Sequence, residues 1–264
     1  DFFSSQLASR ILSEKGHPKL IVANNVLAHV PDLADVLKGL SILCGPDTII
    51  SIENPSLMNI LDGMQFDTIY HEHYSYLTAT SVDNLSKLAE LQLFKIEKIS
   101  VHGGSNRYWL RRKIANENVD ISVKDLKHYE QSIDLFRLEK WQDFSGKVAV
   151  ILDNFRKLLE EGALNNRRIY GYGAAAKAST ILNSNSESSK YLIAIADLSE
   201  EKQRRFMPSE GVPIISPAEL FASNPTDVII FPWNIKTEIA NYLRQNLGMN
   251  VKLWCLVPNL ENII

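Results

Sequence analysis

Cysteine is nearly absent from this sequence: Cys44 and Cys255 are the two in 264 residues. Each stands in an apolar context, so both read as buried reduced thiols of a cytoplasmic protein, and a disulfide scaffold is not expected in a chain this large. Long apolar runs are also missing, and no signal peptide stands at the start, so neither a membrane span nor a membrane partner is expected. Basic charge is not in excess. The 28 Lys and Arg against 31 Asp and Glu leave a net charge of −3, which gives no field for nucleic acid or an anionic surface. Histidine is scarce as well, with six in all, and this makes their placement informative.

Two of those six fall in one short window, Phe66-Asp67-Thr68-Ile69-Tyr70-His71-Glu72-His73-Tyr74-Ser75-Tyr76. No other window concentrates so much proton-transfer chemistry. Histidine has the side-chain pKa nearest neutrality, so modest shifts make it a base or an acid. A neighbouring Glu orients an imidazole, and a Tyr hydroxyl donates to a developing oxyanion. If the window were a strand, His71 and His73 would share a face as metal ligands. No cysteine lies nearby and no third ligand has metal spacing, so no metal is assigned. Packing of the aromatics around a polar loop is the remaining structural alternative. The four ionisable groups of Tyr70-His71-Glu72-His73 favour acid–base work over it.

Hydrophobic residues make up 45% and charged residues 22% of the chain, the balance of a globular protein with room for two domains. Helical spacing marks Ser5 to Lys15, ended by Gly16 and Pro18. Lys19 to Ala23 reads as a buried parallel strand, with Asn24 and Asn25 at the end where open α/β sheets bind ligands. Asp32 caps a helix from Leu33 to Leu43. Asp47 to Glu53 is a second buried strand, and a helix starting at Thr80 or Ser81 runs to about Leu91. Leu93 to Lys113 then forms two strands around His102-Gly103-Gly104-Ser105-Asn106. The polar stretch from Asn116 to Ser122 marks a domain boundary, giving domains 1–118 and 119–264. From Val123 to about Glu161 the spacing is helical, with Gly146 as a point of interruption.

A second α/β pattern begins at Arg167. Ile169-Tyr170 leads into Gly171-Tyr172-Gly173-Ala174-Ala175-Ala176-Lys177 and a helix, and Asp197 ends the next strand. Gly-x-Gly-x-x-Ala between a strand and a helix, with an acidic residue after the following strand, is the context of a dinucleotide fingerprint. Small residues let backbone amides approach a phosphate at a helix N-terminus, and Lys177 adds charge. Tight strand-to-helix packing without a ligand produces the same short pattern. Strands at Asp227 to Phe231 and Val251 to Val257 flank a helix from Lys236 to Leu247.

Four segments together resemble the sugar C-methyltransferases: Ala23-Asn24-Asn25-Val26-Leu27-Ala28-His29-Val30-Pro31, Phe66 to Tyr76, His102-Gly103-Gly104-Ser105, and Gly171 to Lys177. The likeness covers most of the chain. These enzymes use S-adenosylmethionine to methylate nucleotide-linked keto-deoxysugars. Their architecture is an N-terminal zinc-binding domain, a class I methyltransferase domain and a C-terminal Rossmann-like domain, with the nucleotide-diphosphate sugar between the last two. The resemblance implies that His73 is the base that removes the proton α to the ketone, supported by His29, Tyr70 and Glu72. Asn24 and Asn25 would lie at the cofactor end of the sheet. Gly171, Gly173, Ala174 and Lys177, with His102 and Ser105, would contact the sugar nucleotide.

The fold expected is therefore α/β: the C-terminal half of a class I methyltransferase sheet followed by a Rossmann-like domain. The zinc-binding cysteines, the Gly-rich cofactor loop and the ribose-binding acid of the family have no counterpart here. Asp1-Phe2-Phe3-Ser4 reads as a cut from a longer chain. Zinc would belong to that upstream part, and the chain alone is expected to bind S-adenosylmethionine weakly and to be inactive. Ser209 and Glu210 replace glycines of the family pattern, which bears on sugar specificity. The competing functions are a nucleotide-sugar-binding module without catalysis and an NAD-dependent oxidoreductase built on Gly171 to Ala176.

Overall fold

The computed structural model describes residues 1–113, 118–208 and 211–263, without the side chains of His102 and Ser186. Ser209 and Glu210 lie outside the described residues. Two compact units result: Asp1–Asp62 with His71–Trp141, and Gly63–Tyr70 with Gln142–Ile264. The window Phe66 to Tyr76 thus contributes to both, five residues to the second unit and six to the first. Among the described residues no helix is long and apolar enough to cross a membrane.

The first unit opens with helix α1 (Ser5–Lys15), capped by the Ser4 side chain on the Leu7 amide. Strand β1 (Leu20–Asn24), helix α2 (Leu33–Leu43), strand β2 (Ile49–Pro55) and helix α3 (Leu57–Asp62) follow. Helix α4 (Ala79–Leu88), strands β3 (Leu91–Ile99) and β4 (Ser105–Arg112), and helix α5 (Ile121–Ser132) complete it. The sheet order is β1-β2-β4-β3. The β1–β2 pair is parallel, and β4 pairs antiparallel with both β2 and β3. This is the parallel pair closed by a hairpin that the sequence leads one to expect.

Three details depart from that expectation. β1 is not buried: it lies at the sheet edge, and Leu20 and Val22 are more than half exposed. The start of α4 is fixed by Thr78, whose side chain and that of Ser81 form a capping box. Its amides are further held by Glu130 of α5, whose carboxylate accepts from Ala79 N (2.6 Å), Thr80 N (3.0 Å) and Thr80 Oγ1 (2.6 Å). A carboxylate at a helix N-terminus is favoured by the helix dipole and by otherwise orphaned amides. The helical run after Val123 breaks at Asp134, which has φ +55°, and not at Gly146.

The second unit carries most of helix α6 (Leu138–Leu164) and a doubly wound sheet. Its elements are β5 (Ile169–Tyr172), α7 (Ala176–Ser184), α8 (Ser186–Ser189), β6 (Ile195–Ala196), β7 (Ile214–Ile215) and α9 (Pro217–Ala222). They continue as β8 (Asp227–Ile230), α10 (Lys236–Leu247), β9 (Lys252–Cys255) and β10 (Glu261–Ile263). The order is β10-β9-β8-β5-β6-β7, with only the β9–β10 pair antiparallel. Tyr172, Val228, Ile230, Leu243 and Leu253 build the core on one sheet face. β5 lies between β6 and β8, so the chain leaves its C-terminal end toward one side and returns on the other. That reversal is where open α/β sheets form a ligand crevice.

Candidate functional site

In the first unit the candidate side chains His29 and His73 gather beyond the C-terminal end of β1. Asn25 follows the strand with φ +53°, and its amide donates to the Glu53 carbonyl at 2.8 Å. The left-handed residue turns the chain into a one-turn 3-10 helix, Leu27–His29. The Ala28 carbonyl in this turn accepts from Tyr74 N (2.7 Å) and Ser75 N (3.3 Å). Main-chain bonds therefore clamp the loop after His73 onto the turn that carries His29. The two imidazoles meet edge to face, with centroids 4.8 Å apart and planes at 65°. The Tyr76 ring stands 6.0 Å from His73 at 82°. His73 is half-buried, whereas His29, His71 and Glu72 are exposed.

The segment His71 to Tyr76 is turn and loop, so the alternation of a strand does not apply to His71 and His73. Among the described residues no three His, Cys, Asp or Glu converge to hold a metal. Beside the histidine pair a cavity of about 550 Å³ is lined by Phe2, Phe3, Ala23, Val26, His29 and Asp32. Asn24 is exposed at the strand end, and Asn25 Oδ1 is buried without a hydrogen-bond partner. A mostly apolar cavity suits a small-molecule cofactor; the unanswered Asn25 Oδ1 follows the same strand but lies outside the cavity lining. Ser105 is buried at the start of β4 and its hydroxyl donates to the Val101 carbonyl at 3.4 Å. The side chain of His102 lies outside the described residues.

In the second unit Gly171 lies inside β5, Gly173 and Ala174 follow its C-terminal end, and Lys177 belongs to α7. The turn is closed upon itself. Gly173 N donates to the Ala196 carbonyl (2.8 Å), Ala174 N to Asp197 Oδ2 (2.7 Å) and Ala175 N to the Gly173 carbonyl (3.0 Å). Asp197 Oδ1 accepts from Ser199 N at 2.8 Å, and Lys202 Nζ lies 3.3 Å from Oδ2. The acid that an NAD-binding reading needs for a ribose is thus occupied in holding the turn. The amides available to an anion are those of the first turn of α7, where no side chain caps the helix.

Lys177 sits in that first turn. Its Nζ lies 3.9 Å above the Trp233 ring and donates to Asn234 Oδ1 at 3.2 Å. Trp233 and Asn234 come from the loop after β8, the other flank of the crevice. The indole Nε1 in turn donates to Asp67 Oδ2 at 2.7 Å. Asp67 is fully buried and its Oδ1 has no partner. Burial pushes its carboxyl up to about 6, against the pull of Lys177 and the indole bond. Burial also lowers the Lys177 pKa, with Asp67 opposing. Sequence reasoning missed Asp67, Trp233 and Asn234. The available signals were an Asp inside the singled-out window and Trp-Asn directly after a strand.

The raised carboxyl carries a stability consequence. A group held above its ordinary 3.8 favours the folded state below pH 3.8, and this contribution is lost as pH rises through about 6. At pH 7.5 the ionised Asp67 therefore works against folding. Asp67→Asn keeps an acceptor for Trp233 and removes the buried charge. It is expected to stabilise the protein at pH 7.5 by roughly 1–3 kcal/mol, with the gain gone at pH 3.5. Urea unfolding at the two pH values measures it, and equal effects at both would contradict the assignment.

Comparison with known proteins follows the same division. Residues 100–258, more than half of the chain, match the C-methyltransferase C-terminal domain, and residues 2–96 match a methyltransferase domain. C-methyltransferase NovU of Streptomyces niveus is 27% identical over 237 residues, covering 90% of this chain and 56% of NovU. The chain thus spans little more than half the length of that relative. A solved structure, UDP-D-quinovosamine 4-dehydrogenase from Vibrio fischeri, aligns with 37% of this chain and 93% of its own at 17% identity, and its TM-score of 0.30 carries no argument. The two α/β units are consistent with a methyltransferase-type fold. By the extent of its C-terminal match, the chain belongs to the C-methyltransferase family.

Proposed function

We propose that the protein is an S-adenosylmethionine-dependent C-methyltransferase acting on a nucleotide-linked keto-deoxysugar, with His73 as the base. The observation that carries this reading is the His29–His73 pair, clamped at the C-terminal end of β1 by the Ala28 carbonyl. A carbon beside a ketone becomes nucleophilic only when its proton is removed, which needs a base of near-neutral pKa and a donor for the enolate oxygen. His73 takes the proton onto a ring nitrogen. His29 stands against it and stabilises the charge that the ring acquires. Tyr76 supplies the hydroxyl for the enolate, and Glu72 orients an imidazole. S-adenosylmethionine, when bound, supplies an electrophilic methyl on a sulfonium. Asn25 and the cavity beside His29 are the residues of this chain suited to hold it. The carbanion must meet that methyl in line, so fixing the base by main-chain bonds is part of the catalysis.

The second unit carries a candidate anion site of its own. Lys177, the first-turn amides of α7 and Asn234 converge at the reversal of the sheet, and suit the diphosphate of a sugar nucleotide. NovU is a C-methyltransferase by name; the nucleotide sugar is part of the proposal.

The test uses the full-length protein, a nucleoside-diphosphate 4-keto-deoxysugar and heavy water, without a methyl donor. Deuterium is expected to enter the carbon beside the ketone, read by mass spectrometry and NMR. No exchange here, together with no methylated sugar when S-adenosylmethionine is added, would sink the reading.

A further inference from the structure

Asp67 lies inside the window that carries the catalytic histidines, yet the proposed chemistry gives it no part. Its surroundings in the second unit give it one. The carboxylate grips the indole N–H of Trp233 at 2.7 Å, and the face of the same indole carries Lys177 Nζ at 3.9 Å. Asp67 thereby fixes the plane on which the ammonium rests, while Asn234 Oδ1 holds the ammonium from the side at 3.2 Å. One oxygen of the carboxylate is buried with no partner. A buried carboxylate with one oxygen unpartnered is incompletely compensated and is neutralised by a proton when further negative charge approaches.

We propose that Asp67 is a positioning residue for the diphosphate-binding Lys177, acting through the Trp233 indole, and that it couples nucleotide-sugar binding to uptake of a proton. The inference rests on the nucleotide-sugar reading above and deepens it. The titratable and charged groups facing Asp67 are Lys177 of α7 and Cys255 of β9. Burial pushes the Cys255 thiol up, so it stays neutral at and below neutral pH; Lys236 and Glu261, which also act on it, pair with each other.

The sign follows from charge. A bound diphosphate raises the affinity of Asp67 for its proton, because two negative groups then share one ammonium. Binding is therefore strongest with Asp67 protonated. It is fully strong below the free carboxyl's value of about 6 and weakens as pH rises through it. A nucleoside-diphosphate sugar has no phosphate ionisation of its own in this range, so the slope reports the protein.

Calorimetry with UDP-glucose and dTDP-glucose at pH 5.5 and 7.5 is the measurement. The wild-type protein is expected to bind about sixfold more tightly at pH 5.5, most of the tenfold limit that accompanies one pKa unit between free and bound states. Asp67→Asn should bind with the same affinity at both pH values. Trp233→Phe keeps the ring under Lys177 and deletes the indole bond that holds the Asp67 proton affinity down. Its pH slope should persist with the midpoint moved upward. Should Asp67→Asn fail to fold, the wild-type slope and the Trp233→Phe displacement still decide. Binding with a slope that Asp67→Asn leaves intact overturns the inference and leaves the nucleotide-sugar reading standing. No binding at either pH by the wild type removes both.

Discussion

His73→Asn is expected to slow deuterium exchange beside the sugar ketone by about a thousandfold, within the range that a positioned base contributes, while nucleotide-sugar affinity stays within a few-fold. The split is required by the role. A base lowers the barrier and adds little to ground-state binding, so its loss appears in turnover and not in the dissociation constant. Asparagine fills similar space and hydrogen-bonds, but has no basic nitrogen. The loop should survive the change, because its clamp is made of the Tyr74 and Ser75 amides on the Ala28 carbonyl and not of the imidazole. His29→Asn should cost less, since it removes the ring against His73 but leaves the base. Exchange at the wild-type rate in His73→Asn would take the residue out of the role, whatever the methylation assay gives.

The fold was legible where one physical signal dominated. α1 and α10 keep the bounds that 3.6-residue periodicity assigns, because each has an amphipathic face and a glycine at its C-terminal end, Gly16 and Gly248. The parallel pair and hairpin of the first unit follow from apolar runs broken by polar turns. The exposure of β1 is hidden in the sequence because Leu20-Ile21-Val22-Ala23 is apolar on both faces. A run of that kind belongs to a central strand, but here it lies at an edge. Gly146 does not interrupt α6: glycine in an exposed helix costs only about 1 kcal/mol, and nothing lies within 4 Å of where its Cβ would be. The left-handed Asp134 has no comparable signature.

Within the site, His29 and His73 are 44 positions apart in sequence, and the first sign of their meeting was chemical type. The Asp67–Trp233 bond joins residues 166 apart, and neither residue belongs to a spaced pattern. No local reading of the chain brings them together. The Asp197 carboxylate shows the converse. Its place after β6 fits a ribose ligand, and its bonds to Ala174 and Ser199 show a brace for the turn. Spacing located the residue, and geometry decided what its oxygens do.

Gly173→Ala is expected to destabilise the protein by roughly 2–5 kcal/mol before any ligand is added. Two costs combine. Gly173 has φ +91°, where a side chain strains the backbone by roughly 1–2 kcal/mol. A Cβ there would also stand 2.5 Å from Pro232 Cδ and closer still to Cγ, and overpacking of this kind costs about 1–3 kcal/mol. The proline ring cannot rotate away, because it belongs to the backbone of the loop that presents Trp233. The glycine is therefore demanded by the contact between the β5 and β8 loops, whether or not a phosphate approaches. Urea unfolding of the ligand-free protein measures the loss. Pairing the change with Pro232→Ala isolates the contact: the double variant should recover at least about 1 kcal/mol of the sum of the single effects, as coupled neighbours do. Full stability of Gly173→Ala with nucleotide-sugar binding abolished would mean instead that the space above the turn belongs to the ligand.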